Sequence, residues 1–380
     1  MTPDVIEIAK ALIACPSVTP KDEGAQEYLA KILGDAGFEC HHLPFGEGEE
    51  RVPNLFARYG TKEPHICFIG HTDVVPPGPL DKWDTPPFEP TIKDDVLYGR
   101  GASDMKGGDA AFAAAAIDFV TNTPDFEGSI SLLITGDEEG EAANGTIKVL
   151  EWMEQNGHIP SVALGGEPTN PDHLGQEVKI GRRGSFHGNL TVHGKQGHVA
   201  YQHLANNPVP ALAKLINALC EYEFDQGNEH FVASNLEFTT VDIGNPAENV
   251  IPGEAKAHFN IRYNDNWSAE TLGQKCHEIL DEVGVEYELD IRADAESFLT
   301  QPGEWSSLVQ DAVEEVTGKR PEATTTGGTS DARFVTNYCP VVECGPINAT
   351  IHQVNENAKV SDLLDLTGIY SVILDRYFID

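Results

Sequence analysis

Three short apolar runs each end in a glycine-containing polar turn. Ile66-Cys67-Phe68-Ile69 leads into Gly70-His71, Ile130 to Ile134 into Thr135-Gly136-Asp137, and Val162-Ala163-Leu164 into Gly165-Gly166-Glu167. A strand with one wet face alternates apolar and polar residues. Near-continuous apolar runs of this length belong to strands buried on both faces, as at the centre of an α/β sheet with helices on either side. The covering helices are legible too. Apolar residues Val5, Ile6, Ala9, Leu12 and Ile13 recur at helical spacing within 3–14, a second helix over 22–34 stops near Gly34 and Gly37, and Ala110 to Val120 is an alanine-rich helix. In open sheets of this kind ligands bind beyond the carboxyl ends of the strands, so the polar residues that follow each run are where chemistry is expected.

The middle of the chain has a different pattern. An alternating strand from Ser185 to Val192 precedes a helix from Pro208 to Tyr222, alternating strands over 235–243 and 255–263, a helix from Ser268 to Val283 and a strand over 285–292. The order β-α-β-β-α-β is complete in itself and spells a ferredoxin-like sandwich. It predicts an inserted domain over 181–293, which splits the first domain into 1–180 and 294–380. Two domains also suit 380 residues, a length at which one core stops growing. The expected fold class is α/β: a discontinuous domain with a mixed central sheet flanked by helices, plus the insertion.

Charge narrows the partners. With 25 Lys and Arg against 61 Asp and Glu, the formal net charge is -36. Nucleic acid and anionic membrane both reward positive surface, so neither is expected as a partner. No apolar run reaches the 18 or so residues of a membrane span, and Met1 to Lys10 carries Asp4 and Glu7 rather than a basic leader, which predicts a cytoplasmic protein. The seven cysteines are scattered and form no C-x-x-C pair, so they are expected to be reduced, mostly buried thiols, not a zinc or redox motif.

Taken singly, the polar turns are ambiguous. His71-Thr72-Asp73 offers an imidazole and a carboxylate able to orient it, although an isolated His-x-Asp is more often a plain turn. Gly99-Arg100-Gly101-Ala102-Ser103-Asp104-Met105-Lys106-Gly107-Gly108 matches neither phosphate-loop pattern; it delivers Asp104 to a helix start, as a metal-bridging carboxylate or as a simple cap. Asp137-Glu138-Glu139 is a solvated acidic turn or a pair in which one carboxylate binds metal and its neighbour moves protons. Glu167 and His352, in Asn348-Ala349-Thr350-Ile351-His352-Gln353, are each unremarkable alone. Together, two histidines and several carboxylates lie beyond predicted strand ends of one domain. Imidazole with carboxylate and without thiolate suits zinc or a similar divalent ion at a catalytic site. Calcium, which prefers all-oxygen ligands, fits the two histidines poorly.

In this order, His71-Thr72-Asp73, Asp104 to Gly108, Asp137-Glu138-Glu139-Gly140, Gly166-Glu167-Pro168 and His352 resemble the motifs of the M20 metallohydrolase family. The resemblance spans nearly the whole chain. It implies that His71 and Glu167 bind one zinc, Glu139 and His352 a second, with Asp104 between them, cobalt being a substitute metal. It further implies that Glu138 is the general base and that Asp73 orients His71. His198, in Gly197-His198, would reach the partner subunit's active site and hold the oxyanion, which implies a homodimer whose inserted domain serves dimerisation.

Within the family, Gly181 to Ser185, Gly197 to Tyr201, His203 to Pro208, Asn249 to Pro252 and Thr326 to Phe334 are similar to the members that desuccinylate N-succinyl-L,L-2,6-diaminopimelate, with Gln202 standing where proline is expected. The implied product pair is succinate and the free diamino acid, on the route to lysine. Such a substrate carries several carboxylates, for which Arg182, Arg183, Arg262 and Arg333 are candidate partners, because guanidinium pairs bidentately with carboxylate. Asn249, Gly328, Thr329 and Ser330 are further candidate contacts. An acetylornithine deacetylase or a dipeptidase would carry the same metal residues. A non-catalytic metal-binding dimer would be expected to have lost a ligand or the base, and each of those positions is filled.

Overall fold

The computed structural model describes residues 4–379; Met1 to Pro3, where the first expected helix begins, and Asp380 lie outside the described residues. The chain divides into two compact units. One runs up to Ile180 and resumes over Thr300–Thr324 and from Ser330 onward; the other comprises Gly181–Leu299 and Thr325–Thr329. The seam differs from the expected 181–293. Residues 294–299 stay with the second unit because Phe298–Leu299 pairs with Gly181–Arg182, and 325–329 join it where Thr325 Oγ1 donates to the carbonyl of His230.

Along the chain the first unit begins with helices α1 (Val5–Ile13) and α2 (Ala25–Asp35), then strands β1 (Glu39–His42), β2 (Leu55–Tyr59) and β3 (His65–His71). The Asp4 carboxylate caps α1 by accepting from the Ile6 N–H at 2.9 Å. Helix α3 (Lys106–Asn122), β4 (Ser129–Thr135), α4 (Thr146–Asn156), β5 (Val162–Gly165) and β6 (Glu177–Lys179) follow. The second unit contains β7 (Gly184–His193), α5 (Val209–Glu221), β8 (Asn235–Asp242), β9 (Glu254–Tyr263), α6 (Ala269–Glu282) and β10 (Glu288–Ala295). The chain then returns to the first unit with α7 (Glu304–Thr317), β11 (Glu322–Thr324), β12 (Val341–Glu343) and α8 (Val360–Phe378).

The main sheet has the order β1-β2-β4-β3-β5-β12-β6-β11 and is mixed. At its centre β4, β3, β5 and β12 run parallel, each hydrogen-bonded to the next. Strands β3 and β4 are buried along their whole length, as two-sided burial demands of uninterrupted apolar runs. In the second unit, four antiparallel strands in the order β8-β9-β7-β10 carry α5 and α6 on one face, the β-α-β-β-α-β sandwich expected from the alternation. Its last strand is displaced from the expected 285–292 to Glu288–Ala295. Its partner sets it: β7 pairs Thr191 with Glu288 at one end and Ser185 with Ala295 at the other, so Val285 to Tyr287 precede the ladder. All seven cysteines carry free thiols; Cys67, Cys276, Cys339 and Cys344 are buried and Cys220 is exposed.

Helix α3 brings the backbone closest to the strand ends. It starts earlier than its alanine run, at Lys106, and nearly all of it is buried, packed against α1, α8 and β3. Phe112 stacks on Phe68 of β3 at 4.4 Å between ring centroids. Gly107 and Gly108 allow this approach. A Cβ on Gly107 would lie 2.4 Å from the Ala102 carbonyl oxygen, and one on Gly108 would lie 2.7 Å from that of Gly166. Propensity alone would make Gly108→Ala stabilising by about 1 kcal/mol. The clash is with backbone that cannot step aside, so the expected outcome is a net loss of about 1–3 kcal/mol. Urea unfolding checks this; a variant as stable as the wild type or more so would show that the approach is not tight.

Candidate active site

Each strand of the parallel centre delivers one polar turn to the same edge. His71 is the last residue of β3, and Asp73 follows. Glu138 and Glu139 lie just beyond β4, Glu167 just beyond β5, and His352 in the segment between β12 and α8. Asp104 comes from the loop that opens α3. The structure brings these seven residues together. Three groups have ligand atoms within 4.8 Å of one another: His71 with Asp104 and Glu167, Asp104 with Glu139 and His352, and His71 with Glu138 and Glu139.

Asp104 stands between the histidines. Its Oδ1 is 3.3 Å from His71 Nε2 and its Oδ2 is 3.3 Å from His352 Nε2. Glu167 Oε1 lies 3.7 Å from His71 Nε2, and Glu139 Oε1 lies 2.9 Å from His352 Nε2. His71 Nδ1 is 2.9 Å from the main-chain oxygen of Asp73. A carbonyl can only accept, so Nδ1 carries the proton and Nε2 is the coordinating nitrogen. That Nε2 is buried and has no hydrogen-bond partner, yet it faces two carboxylate oxygens. A lone pair held against two anionic oxygens needs a cation between them. This donor set, nitrogen and carboxylate oxygen without sulfur, fits a divalent transition metal ion.

The ionisation of the cluster expresses the same shortage of positive charge. Burial pushes Glu138 and Glu167 well above the usual carboxylate range, and neighbouring carboxylates push them further. Burial works against the His71 cation, but Asp104, Glu167 and Asp73 outweigh it and raise its pKa well above the ordinary value. Asp104 is buried, yet the positive charge of His352 and His71, each 3.3 Å from one of its oxygens, holds it below its ordinary range. His352, hydrogen-bonded to Asp104 and Glu139, is raised to about 10. The cluster is thus short of positive charge, which a divalent cation would supply.

Asp73 departs from its expected contact. Its carboxylate Oδ1 is 3.6 Å from His71 Nδ1, too far for a hydrogen bond, and it is the residue's main-chain oxygen that orients the ring. The carboxylate instead reaches across to the acidic turn. It accepts from the Glu138 N–H at 3.3 Å, the Glu139 N–H at 3.2 Å and the Thr19 hydroxyl at 2.6 Å. Burial raises Asp73 to about 6, against the opposing effects of His71 and Thr19.

Some residues at the site carry no sequence signal of their role. Thr19 sits in an ordinary loop. Asp331 is buried, its carboxylate oxygens lack hydrogen-bond partners, and the Arg333 guanidinium at 3.6 Å is beyond hydrogen-bond reach. It lines one small cavity with His71, Glu138 and Glu167. The hydroxyl of Ser330, next to it, is buried and unpartnered. The burial of Asp331 could have been inferred only from its place in a Gly-rich run already bearing candidate contacts.

The other candidate residues lie in the second unit. Arg182 donates to the Gly328 carbonyl at 3.2 Å. Arg183 donates to Asn235 at 2.8 Å, and its Nε is buried without a partner. Burial, and then the neighbouring Arg262 guanidinium, lower the Arg183 pKa. Asn249 offers its carbonyl to the Val199 N–H at 3.1 Å, and Thr329 ends the short stretch 325–329. His198 is exposed and its Nδ1 accepts from the Ala200 N–H at 3.1 Å, so the neutral ring carries its proton on Nε2.

Residues 67–376 match the profile of peptidase family M20/M25/M40. This chain belongs to the M20 family. The M20 chain is 52% identical over 379 residues to succinyl-diaminopimelate desuccinylase of Rhodospirillum centenum, covering 100% of this chain and 98% of that protein. Its fold is similar to an M20 metallo-carboxypeptidase from Sulfolobus solfataricus (TM-score 0.79, 19% identity, 99% of each chain). It is also similar to a dinuclear metal-binding M20 peptidase from Bacillus subtilis (TM-score 0.72, 16% identity, 98% of each chain). The family is metal-dependent, and no described helix is long and apolar enough to cross a membrane.

With His352 raised to about 10, its metal-free ring is cationic at neutral pH and must shed that proton to coordinate. Metal loading at pH 7 is therefore expected to release protons, and affinity should climb from pH 6 to pH 8. Titration calorimetry in buffers of different ionisation enthalpy measures the release. Binding with no proton release and no pH dependence would contradict this charge balance.

Proposed function

We propose that this M20 chain is a dinuclear metal-dependent amide hydrolase that cleaves N-succinyl-L,L-2,6-diaminopimelate to succinate and L,L-2,6-diaminopimelate, on the route to lysine. The observation that carries the amide-hydrolase part is Asp104, with one carboxylate oxygen toward each of two imidazoles. The substrate is supported by full-length similarity to the desuccinylases.

In this reading His71 and Glu167 hold one ion, Glu139 and His352 hold the other, and Asp104 serves both. A zinc or cobalt ion, when bound, supplies the Lewis acidity that polarises a scissile carbonyl and makes water acidic near neutral pH. Glu138 then does the proton work. It takes the proton of the attacking water and passes it to the leaving nitrogen, so that the amide becomes a carboxylate and an amine. Its pKa, raised by burial and neighbouring carboxylates, suits a group that must both accept and return a proton. The Asp73 carboxylate grips the backbone of this turn, which holds the base and the ligand Glu139 in one geometry.

His198 is assigned to the oxyanion. Its Nε2–H is a free donor on an exposed ring, and it would reach a site in the partner subunit of a homodimer through the inserted domain. Arg182, Arg183 and Arg262 are assigned to the substrate's carboxylates, with Asn249, Gly328, Thr329 and Ser330 as hydrogen-bonding neighbours. Arg183 and Arg262 are adjacent cations without an ion pair among the described residues, an uncommon situation in a chain of net charge -36. The assigned compartment is the cytoplasm, in keeping with seven free thiols.

Glu138→Gln is expected to retain its metals and lose roughly 10²–10⁴-fold in turnover, the usual contribution of a positioned acid–base group. Metal analysis with initial-rate kinetics checks both halves, and near-normal turnover would remove Glu138 from this role. Among succinyl-diaminopimelate, acetylornithine and simple dipeptides, the first is expected to be turned over best by kcat/KM. A higher value for either of the others would reassign the substrate and leave the metal chemistry in place.

A further inference from the structure

Glu356 is a fully buried carboxylate that lies four residues beyond His352. Its Oε1 accepts from the Ser103 and Asp104 N–H groups, each at 3.0 Å. Its Oε2 accepts from the Gly101 N–H at 3.0 Å and from the Arg100 guanidinium at 2.6 Å. One side chain thus binds three backbone N–H groups, those of Gly101, Ser103 and Asp104, in the loop that presents Asp104. Both oxygens of this buried carboxylate are satisfied by charge-assisted hydrogen bonds.

The segment that bears Glu356 also bears His352. Its backbone is unusual: His352 has φ +59° and Asn355 has φ +61°, both in the left-handed region that non-glycine residues seldom occupy. Contacts at both ends hold it there. The Asn355 side chain exchanges hydrogen bonds with Asp84 at 2.8 and 3.0 Å. The Glu356 carbonyl accepts from the Gly99 N–H at 3.0 Å, and Asn357–Lys359 then pairs with Val96–Tyr98. The Asp104 loop and the His352 segment are therefore joined by main chain, by a small sheet and, at their centre, by the Glu356 carboxylate.

We propose that Glu356 is a positioning residue for the metal centre: by clamping the Asp104 loop to the His352 segment it sets the spacing of Asp104, Glu139 and His352, and so the affinity of the ion that those three hold. The proposal rests on the metal-site reading above. Among the described residues the Glu356 carboxylate makes no hydrogen bond to a metal-ligand side chain; it acts through the backbone of Asp104. Replacing one carboxylate oxygen by an amide would set an N–H donor against backbone N–H donors and release one side of the clamp. The ion at His71 and Glu167 depends less on it, because His71 is fixed by the Asp73 carbonyl and Glu167 by β5.

The test is a Co²⁺ titration of the chelator-treated full-length protein, followed by visible absorption and calorimetry, for the wild type and Glu356→Gln. The expected result is a first equivalent bound as in the wild type and a second weakened roughly 10–100-fold, the usual cost of removing an outer-sphere partner. The thermal midpoint of the metal-free protein is measured alongside. If Glu356→Gln does not fold, Glu356→Asp keeps the charge but shortens the reach, and the same split between the two equivalents is expected. Two equivalents bound as in the wild type would overturn the proposal. So would equal weakening of both in step with a lowered thermal midpoint, which marks a purely structural residue. If the wild type itself bound fewer than two equivalents, the metal-site reading would fail and the proposal with it.

Discussion

The carboxylate of Asp104 faces an imidazole on each side, and the structure around it is organised to keep that arrangement in place. Like charges gathered in a low-dielectric site repel, and buried carboxylates without cations ionise reluctantly. Burial and neighbouring carboxylates accordingly raise the pKa of Glu138 and Glu167. The fold meets it with geometry. Four parallel strands end at one edge, two backbone-gripping carboxylates, Asp73 and Glu356, hold the turns, and the glycines at the start of α3 let the helix approach the strands. What remains for a divalent cation is to supply the missing charge.

Much of this was legible in the sequence because it is local. Uninterrupted apolar runs announce two-sided strands, and a metal-ligating residue type just past such a run is placed by the strand itself. His71, Glu139 and Glu167 belong to this class, and so does the antiparallel sandwich of the second unit, whose alternation has period two. The less legible features depend on partners far along the chain. The strand at Glu288–Ala295 starts where β7 lets it start, not where its own apolar pattern begins. The Asp73 carboxylate was expected on His71, its near neighbour, but it binds a turn 65 and 66 residues away. Glu356 looks in the sequence like one more of 61 acids, and only the return of the chain to the Asp104 loop shows its use.

The overall charge of -36 gives these local choices a context. A negative field opposes an anionic substrate but favours cations, so the polar centre benefits from it as a metal site and must offset it as a substrate site. The adjacent guanidinium groups of Arg183 and Arg262 are the kind of local positive charge such an offset requires. The candidate metal ligands belong to the first unit, and Arg183 and Arg262 to the second.

The proposed chemistry requires that Asp104 be shared by two metal ions. Anomalous diffraction from crystals grown with zinc, recorded on either side of the zinc absorption edge, tests it most directly. Two anomalous peaks are expected for each chain, one contacting His71, Glu167 and one oxygen of Asp104, the other contacting Glu139, His352 and the second oxygen. A single peak, or two peaks with Asp104 bound to neither or only one, would contradict it.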